Sequence, residues 1–334
     1  MAGKTTIRAP TNIAFVKYWG ARNIGRAVPF HPSISMTLRA CRSCCTVEYV
    51  DEAGEHEIRW RGSGELATPP AGFISRVRNH LNALRAWAGC GGRFRVAAAN
   101  NFPAAAGLGS SASGFAALTL ATLGAIGRAP SREVCSSLAR ISGAGSAARS
   151  VMGGYVEWPV GTTADAECFA RQLFAEDYWD LRDVIAIVDH GPKAVPSRGG
   201  HLRVHTSPFF HPRVRHLPKR LATIREAIHA RDFPRLGVEI EAEGLDLHCI
   251  ALSSRPAILY WKPATLTVLE TLRHLRDEGL EVYASLDAGA NVHAICLPES
   301  EDEVAQHLGR LEGIREIIRD GVGSGPAEEE EHLF

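Results

Sequence analysis

The run Pro103-Ala104-Ala105-Ala106-Gly107-Leu108-Gly109-Ser110-Ser111-Ala112-Ser113 constrains the fold of this chain more than any other. It follows a strand-like segment, Phe94–Ala99, and leads into Ala112–Ile126, small and apolar enough for a buried helix. The local order is therefore strand, glycine-rich turn, helix. Glycines let backbone approach an anion closely, and the helix start beyond them offers unpaired N–H groups and partial positive charge. The spacing matches neither the Walker loop, which needs Gly-Lys-Ser/Thr, nor a dinucleotide-binding turn. A tight turn with an N-capping serine is the purely structural alternative.

Thirty-seven basic residues balance thirty-seven acidic ones, so no general field attracts nucleic acid or an anionic bilayer, and any phosphate site must be local. At 334 residues the chain can bury a core without staples. No apolar run is long enough to span a membrane and the first residues lack a signal-peptide core, which predicts a cytosolic protein. The eight cysteines are irregularly spaced and read as reduced core residues; Cys41, Cys44 and Cys45 lack the second ligand pair that zinc requires.

Along the chain, Thr6–Trp19, Ser35–Leu38 and Cys45–Val50 read as strands, Phe73–Trp87 as a helix, and Ser131–Ile141 and Ser146–Met152 as shorter helices before a strand at Gly154–Trp158. The second half opens with a buried strand, Val184–Val188. It continues through helices at Val214–Ala230, Phe233–Leu252 and Ala264–Glu278 to a strand pair, Val282–Leu286 and Val292–Leu297, bracketing Asp287-Ala288-Gly289-Ala290-Asn291. The acidic run Glu328–His332 reads as a solvated end. The expected division is 1–180, carrying the phosphate turn, and 181–334, carrying the Asp287 turn.

The glycine-serine run resembles the phosphate-binding motif of the GHMP kinases. Three further segments narrow the resemblance to the diphosphomevalonate decarboxylases: Ala9-Pro10-Thr11-Asn12-Ile13-Ala14-Phe15-Val16-Lys17-Tyr18-Trp19-Gly20; Gly143-Ala144-Gly145-Ser146-Ala147-Ala148-Arg149-Ser150 with Gly153-Gly154-Tyr155-Val156-Glu157-Trp158; and Leu286-Asp287-Ala288-Gly289-Ala290-Asn291. Ser197-Arg198-Gly199-Gly200 fits a weaker fifth. The resemblance implies an α+β GHMP-kinase fold, with a ribosomal protein S5 domain 2-like N-terminal half and a ferredoxin-like C-terminal half. It also implies a homodimer and ATP with Mg2+.

The family's chemistry removes a tertiary hydroxyl and a neighbouring carboxylate together. Hydroxide leaves poorly, so ATP first converts it to a phosphate ester. The resemblance makes Asp287 the base or orienting acceptor for that hydroxyl, Lys17 its supporting cation, Asn12 a donor to the reacting region, and Arg149 the clamp on the carboxylate. Gly107, Leu108, Gly109, Ser110, Ser111, Ala112 and Ser113 would hold the nucleotide phosphates, with Ser111 also against the metal. Tyr18, Ser146, Ser197 and Arg198, with Arg149, would bind the substrate. The structural alternatives are a turn aspartate bonding its own backbone, a lysine snorkelling at a sheet edge, an arginine in a structural ion pair, helix-capping serines, a core tyrosine and a solvated Arg198.

Two departures bear on substrate. Ala21 and Ala144 stand where the family carries lysine and serine that serve the distal diphosphate. Losing a charge-assisted hydrogen bond (about 1.5–3 kcal/mol) and a neutral one (about 0.5–1.5 kcal/mol) shifts preference by roughly one to three orders of magnitude. That favours 5-phosphomevalonate, giving isopentenyl phosphate, over the diphosphate, unless Arg22, Arg26, Arg76 or Arg78 replaces the lysine. Ala290 in place of a family proline affects turn stiffness rather than chemistry. The rival readings are a diphosphomevalonate decarboxylase, a mevalonate-type 3-kinase that stops after phosphorylation, and a non-catalytic binding module.

Overall fold

The computed structural model describes residues 3–61, 65–69, 71–103, 108–141, 144–159, 168–191 and 193–334. In chain order the described elements are β1 (Lys4–Val16), β2 (Ala21–Asn23), β3 (Val28–Pro29), β4 (Ser33–Val50), β5 (Glu57–Arg61), β6 (Leu66–Ala67), α1 (Ala71–Ala88), β7 (Arg93–Asn100), α2 (Ser110–Ala125), α3 (Arg132–Ala139), β8 (Tyr155–Trp158) and β9 (Arg171–Phe174). They continue as β10 (Arg182–Ile187), α4 (Ser197–Arg203), α5 (Phe210–Ala230), α6 (Phe233–Ser253), α7 (Pro263–Asp277), β11 (Val282–Ser285), β12 (Val292–Cys296), α8 (Glu301–Gly309), β13 (Glu316–Gly321) and β14 (Ala327–Glu329).

An eight-stranded sheet runs β14-β1-β4-β7-β5-β6, with β8 pairing the start of β4 and β9 pairing β8. Its inward side chains, among them Ile7, Val47, Phe94 and Val96, pack against Leu81 and Leu84 of α1 and Phe115 and Leu118 of α2. A second sheet runs β11-β12-β10-β13, all antiparallel. One face of it packs Val184, Val292 and Ala294 against Val268 and Leu272 of α7 and Leu308 of α8. On the other, Ile185 and Ile295 share a core with Leu221 and Ile224 of α5, Leu236 and Ile240 of α6, and Ile13, Phe15 and Met36 of the first sheet. That shared core holds the end of β1 against the end of β11, and the site forms at this junction.

Several local expectations are corrected. The segments 35–38 and 45–50 belong to one strand, β4, because Asp320 accepts the backbone N–H groups of Arg39, Ala40 and Cys41 and so satisfies the irregular middle that interrupts the sequence pattern. Ser146–Met152 forms only a 3-10 turn over Gly145–Ala148, from which the chain turns inward at Arg149. The acidic tail is solvated, with Glu328, Glu330, Glu331 and His332 exposed, but it is also tied down. Its backbone adds β14 to β1, Arg8 pairs with Glu329 at 3.1 Å, and Lys4 donates to the Phe334 carbonyl at 3.1 Å. Helix α8 and strand β13 lie in a stretch to which the sequence reading assigns no element.

Among the described residues no helix is long and apolar enough to cross a membrane. No group of three His, Cys, Asp or Glu side chains among them is placed to hold a metal ion, and no disulfide joins the cysteines among them.

Candidate active site

Strand β1 carries Thr11, Asn12 and Ala14 past the start of α2 and ends just before Lys17. The Thr11 hydroxyl donates to the Leu108 carbonyl at 2.8 Å, which anchors the turn before α2. Gly109 then caps the helix at φ +72°, and a Cβ there would lie 2.2 Å from Thr11 Oγ1, so only glycine fits. No side chain caps α2. The serines that follow are thus not N-caps, and Gly109, Ser110, Ser111 and Ala112 line a cavity of about 320 Å3.

The opposite wall carries Asp287, on the turn between β11 and β12. Lys17 Nζ donates to Asp287 Oδ1 at 2.9 Å, to Ser285 Oγ at 2.8 Å and to the Ala14 carbonyl at 2.6 Å. All three ammonium protons are engaged, so this lysine is not snorkelling, and its charge is directed at the carboxylate rather than into the cavity. Burial alone would raise the Asp287 pKa. The positive field of Lys17, His293 and Lys193 outweighs it and holds the carboxyl below its ordinary range. The Asp287 carbonyl, not its carboxylate, accepts the Gly289 N–H at 2.7 Å, so the side chain is not occupied by its own turn. Its second oxygen has no partner among the described residues.

Arg149 is buried, 2% exposed, yet has no ion-pair partner among the described residues. Its guanidinium reaches Asn12 Oδ1 at 3.1 Å, Ser35 Oγ at 3.0 Å and Ser33 Oγ at 2.5 Å, all neutral. Burial lowers its pKa to about 10, against the opposing pull of Asp287 and Tyr18. A buried guanidinium with five donors and only neutral partners is a ready site for a carboxylate. Asn12 lines the cavity, but its oxygen holds Arg149 and its nitrogen donates to Ser150 Oγ at 2.8 Å. It therefore braces the arginine at the cavity wall.

Tyr18, Ser146, Ser197 and Arg198 all line the same cavity. Leu108 and Ser113 do not: Leu108 is buried, and the buried Ser113 hydroxyl pairs with Ser43 Oγ of β4 at 2.6 Å. Gly107 lies outside the described residues. Sequence reasoning missed Lys193, His201 and Arg76 as lining residues, although Arg76 had been named as a possible replacement cation. Lys193 donates to Ser197 Oγ at 3.0 Å and to the Ala288 carbonyl at 2.5 Å. Burial lowers its pKa, with Asp287 opposing. It sits in a loop with no motif to mark it. Among the lining residues five are cationic (Lys17, Arg76, Arg149, Lys193, Arg198) and one, Asp287, is acidic, which suits polyanionic ligands.

Comparison with known proteins shows the family. Residues 9–170 match the diphosphomevalonate decarboxylase-like N-terminal domain, and residues 183–328 match the mevalonate 5-diphosphate decarboxylase C-terminal domain. A diphosphomevalonate decarboxylase of Ganoderma lucidum is 30% identical over 343 residues, covering 96% of this chain and 85% of its own. A phosphomevalonate decarboxylase of Haloferax volcanii is 32% identical over 335 residues, covering 99% of this chain and 100% of its own. The solved structure of MDDEF in complex with MVAPP, AMPPCP and magnesium superposes with a TM-score of 0.89 at 34% identity, over 98% of this chain and 99% of that one. With its α+β GHMP-kinase fold and domain matches on either side of the cavity, the chain belongs to the diphosphomevalonate decarboxylase family.

Proposed function

We propose that the protein decarboxylates 5-phosphomevalonate with ATP, giving isopentenyl phosphate, ADP, phosphate and carbon dioxide in a mevalonate route to isoprenoids. The observation that carries this reading is Asp287, held by Lys17, in one cavity with Arg149 and the glycine-capped start of α2. The residues fit the required nucleotide and metal: Gly109 leaves a cradle that a Cβ would fill, and the Ser110 and Ser111 hydroxyls are hard oxygen donors of the kind Mg2+ accepts beside phosphate oxygens. When bound, ATP supplies the phosphoryl group and Mg2+ disperses its charge. MDDEF, which superposes closely, is known in complex with AMPPCP and magnesium.

In the proposed arrangement the 3-hydroxyl of the substrate lies against the unpaired oxygen of Asp287. A carboxylate held below its usual range is ionised at neutral pH but is a weak base. It orients the hydroxyl and takes the proton only as the O–P bond forms, which suits a loose phosphoryl transfer. Lys17 keeps the carboxylate in place. The new phosphate then leaves with the C–O electron pair, the bond to the carboxylate carbon breaks, and that pair forms the alkene as carbon dioxide departs. Arg149 orients the carboxylate. Its guanidinium is already shared with Asn12, Ser33 and Ser35, so it aligns the charged group without over-stabilising the ground state.

Ala21 and Ala144 favour the monophosphate. Ala21 packs beside Tyr18 and Trp158, Ala144 is buried, and neither supplies a donor. The Haloferax relative named for phosphomevalonate supports this choice. Of the four arginines weighed as substitutes, Arg22 lies 5.8 Å over the Phe30 ring, Arg78 pairs with Glu55 at 3.0 Å, and only Arg76 lines the cavity. Arg76, with Arg198, is the observation that favours the second reading, the diphosphate as substrate. Parallel steady-state assays decide between them: the proposal expects a larger kcat/KM for 5-phosphomevalonate, and a much larger value for the diphosphate overturns it. Labelled carbon dioxide separates decarboxylase from 3-kinase. A division near residue 180, a homodimer and a cytosolic location complete the proposal.

A further inference from the structure

His201 lies on α4, the helix that also brings Ser197 and Arg198 to the cavity. Its ring packs against Tyr18 and Trp19, with centroids 4.4 Å and 4.9 Å away. The Gly20 N–H donates to His201 Nδ1 at 2.9 Å. Gly20 holds φ +92°, and a Cβ there would meet the Phe210 ring at 2.9 Å, so the turn that aims this amide requires glycine. A backbone amide can only donate, hence Nδ1 carries a lone pair and the single proton of the neutral ring sits on Nε2. Burial, with the positive charges of Lys193 and Arg198, pushes the ring pKa down to about 3, so the ring stays neutral.

The Nε2–H has no hydrogen-bond partner among the described residues, although His201 lines the cavity. Beside it the Tyr18 hydroxyl is buried and also unpartnered. An unused neutral donor on the cavity wall, next to Arg198 and Lys193, suits an anion whose recognition is partly neutral. We infer that His201, locked by Gly20 as an Nε2–H donor, hydrogen-bonds the non-reacting phosphate of the substrate and helps determine specificity for it. The identity of that anion rests on the function proposed above. The inference explains how this chain can grip a phosphate where Ala21 and Ala144 supply no donor.

The test is steady-state kinetics on the full chain with two variants. His201→Phe keeps a packing ring without either nitrogen, whereas His201→Gln retains an acceptor for Gly20 and a donor. A hydrogen bond to a charged oxygen predicts a roughly 10- to 100-fold rise in KM for 5-phosphomevalonate in H201F, KM for ATP within about twofold, and recovery of most of the loss in H201Q. A folded H201F with wild-type KM, equal rises in both KM values, or no recovery in H201Q overturns the inference.

Should H201F fail to fold, 15N NMR of the histidine-labelled wild type decides, using the signal missing from H201Q. The inference expects that signal to show an Nε2–H tautomer whose Nε2 shift moves when 5-phosphomevalonate is added without ATP. An Nδ1–H tautomer, or no movement, contradicts it. If the wild type turns over only the diphosphate, the proposed substrate fails, while the same comparisons made with the diphosphate still judge His201.

Discussion

Replacing Lys17 with methionine removes the ammonium while keeping most of the side chain's volume. In the wild type that ammonium makes three hydrogen bonds, one of them to Asp287 Oδ1 at 2.9 Å, in a position 1% exposed to solvent. One charge-assisted bond of this kind contributes about 1.5–3 kcal/mol, so if the Asp287 contact is made fully in the transition state, kcat/KM falls about 10- to 150-fold. A second consequence concerns pH. Burial pushes the Asp287 carboxyl upward and Lys17 leads the groups that pull it down, so K17M must raise its pKa and move the acid limb of kcat/KM to higher pH.

The stability effect has a definite sign. A depressed carboxyl pKa contributes stability that is present above the unfolded value of about 3.9 and lost as pH falls through the folded value. The wild type therefore gains from this pair at neutral pH, and the melting difference between wild type and K17M narrows in acid. The assays are a pH profile of kcat/KM and a thermal melt of both proteins. A folded K17M with wild-type kcat/KM and an unmoved acid limb would refute the reasoning.

Gly109→Ala forces a Cβ to 2.2 Å from Thr11 Oγ1 at φ +72°, so it lowers the melting temperature and raises KM for ATP at least about tenfold; equal values for both proteins count against the cradle. Arg149, with its pKa near 10, keeps its charge through neutral pH, so KM for the substrate acid is insensitive to this group up to about pH 9 and rises as pH passes about 10, measured by initial rates. The double variant A21K/A144S restores distal donors and improves diphosphomevalonate over the monophosphate by roughly one to three orders of magnitude in relative kcat/KM. An unchanged ratio places the determinant elsewhere.

Much of the site was legible because its parts lie in contiguous motifs. Gly109 to Ala112, Lys17, Arg149 and Asp287 meet in one cavity although they come from distant parts of the chain. What stayed hidden was contributed by long-range packing. Lys193 and His201 have no local pattern, and their meaning comes from Asp287, Gly20 and Tyr18 across the junction of the sheets. Contacts stayed hidden for the same reason: Asn12 braces Arg149 and Ser113 faces Ser43, neither of which spacing could reveal. In the fold, helices with strong period were found, whereas strand β14 was missed because its glutamates do face solvent while its backbone pairs with Thr6, Ile7 and Arg8.

The most direct test of the central claim is product analysis with 5-phosphomevalonate labelled at its carboxyl carbon, ATP and Mg2+, run beside Asp287→Asn. The account predicts labelled carbon dioxide, isopentenyl phosphate, ADP and phosphate in equal amounts from the wild type, and a rate at least about 100-fold lower from D287N. ADP without labelled carbon dioxide, or a D287N enzyme as fast as its parent, contradicts it.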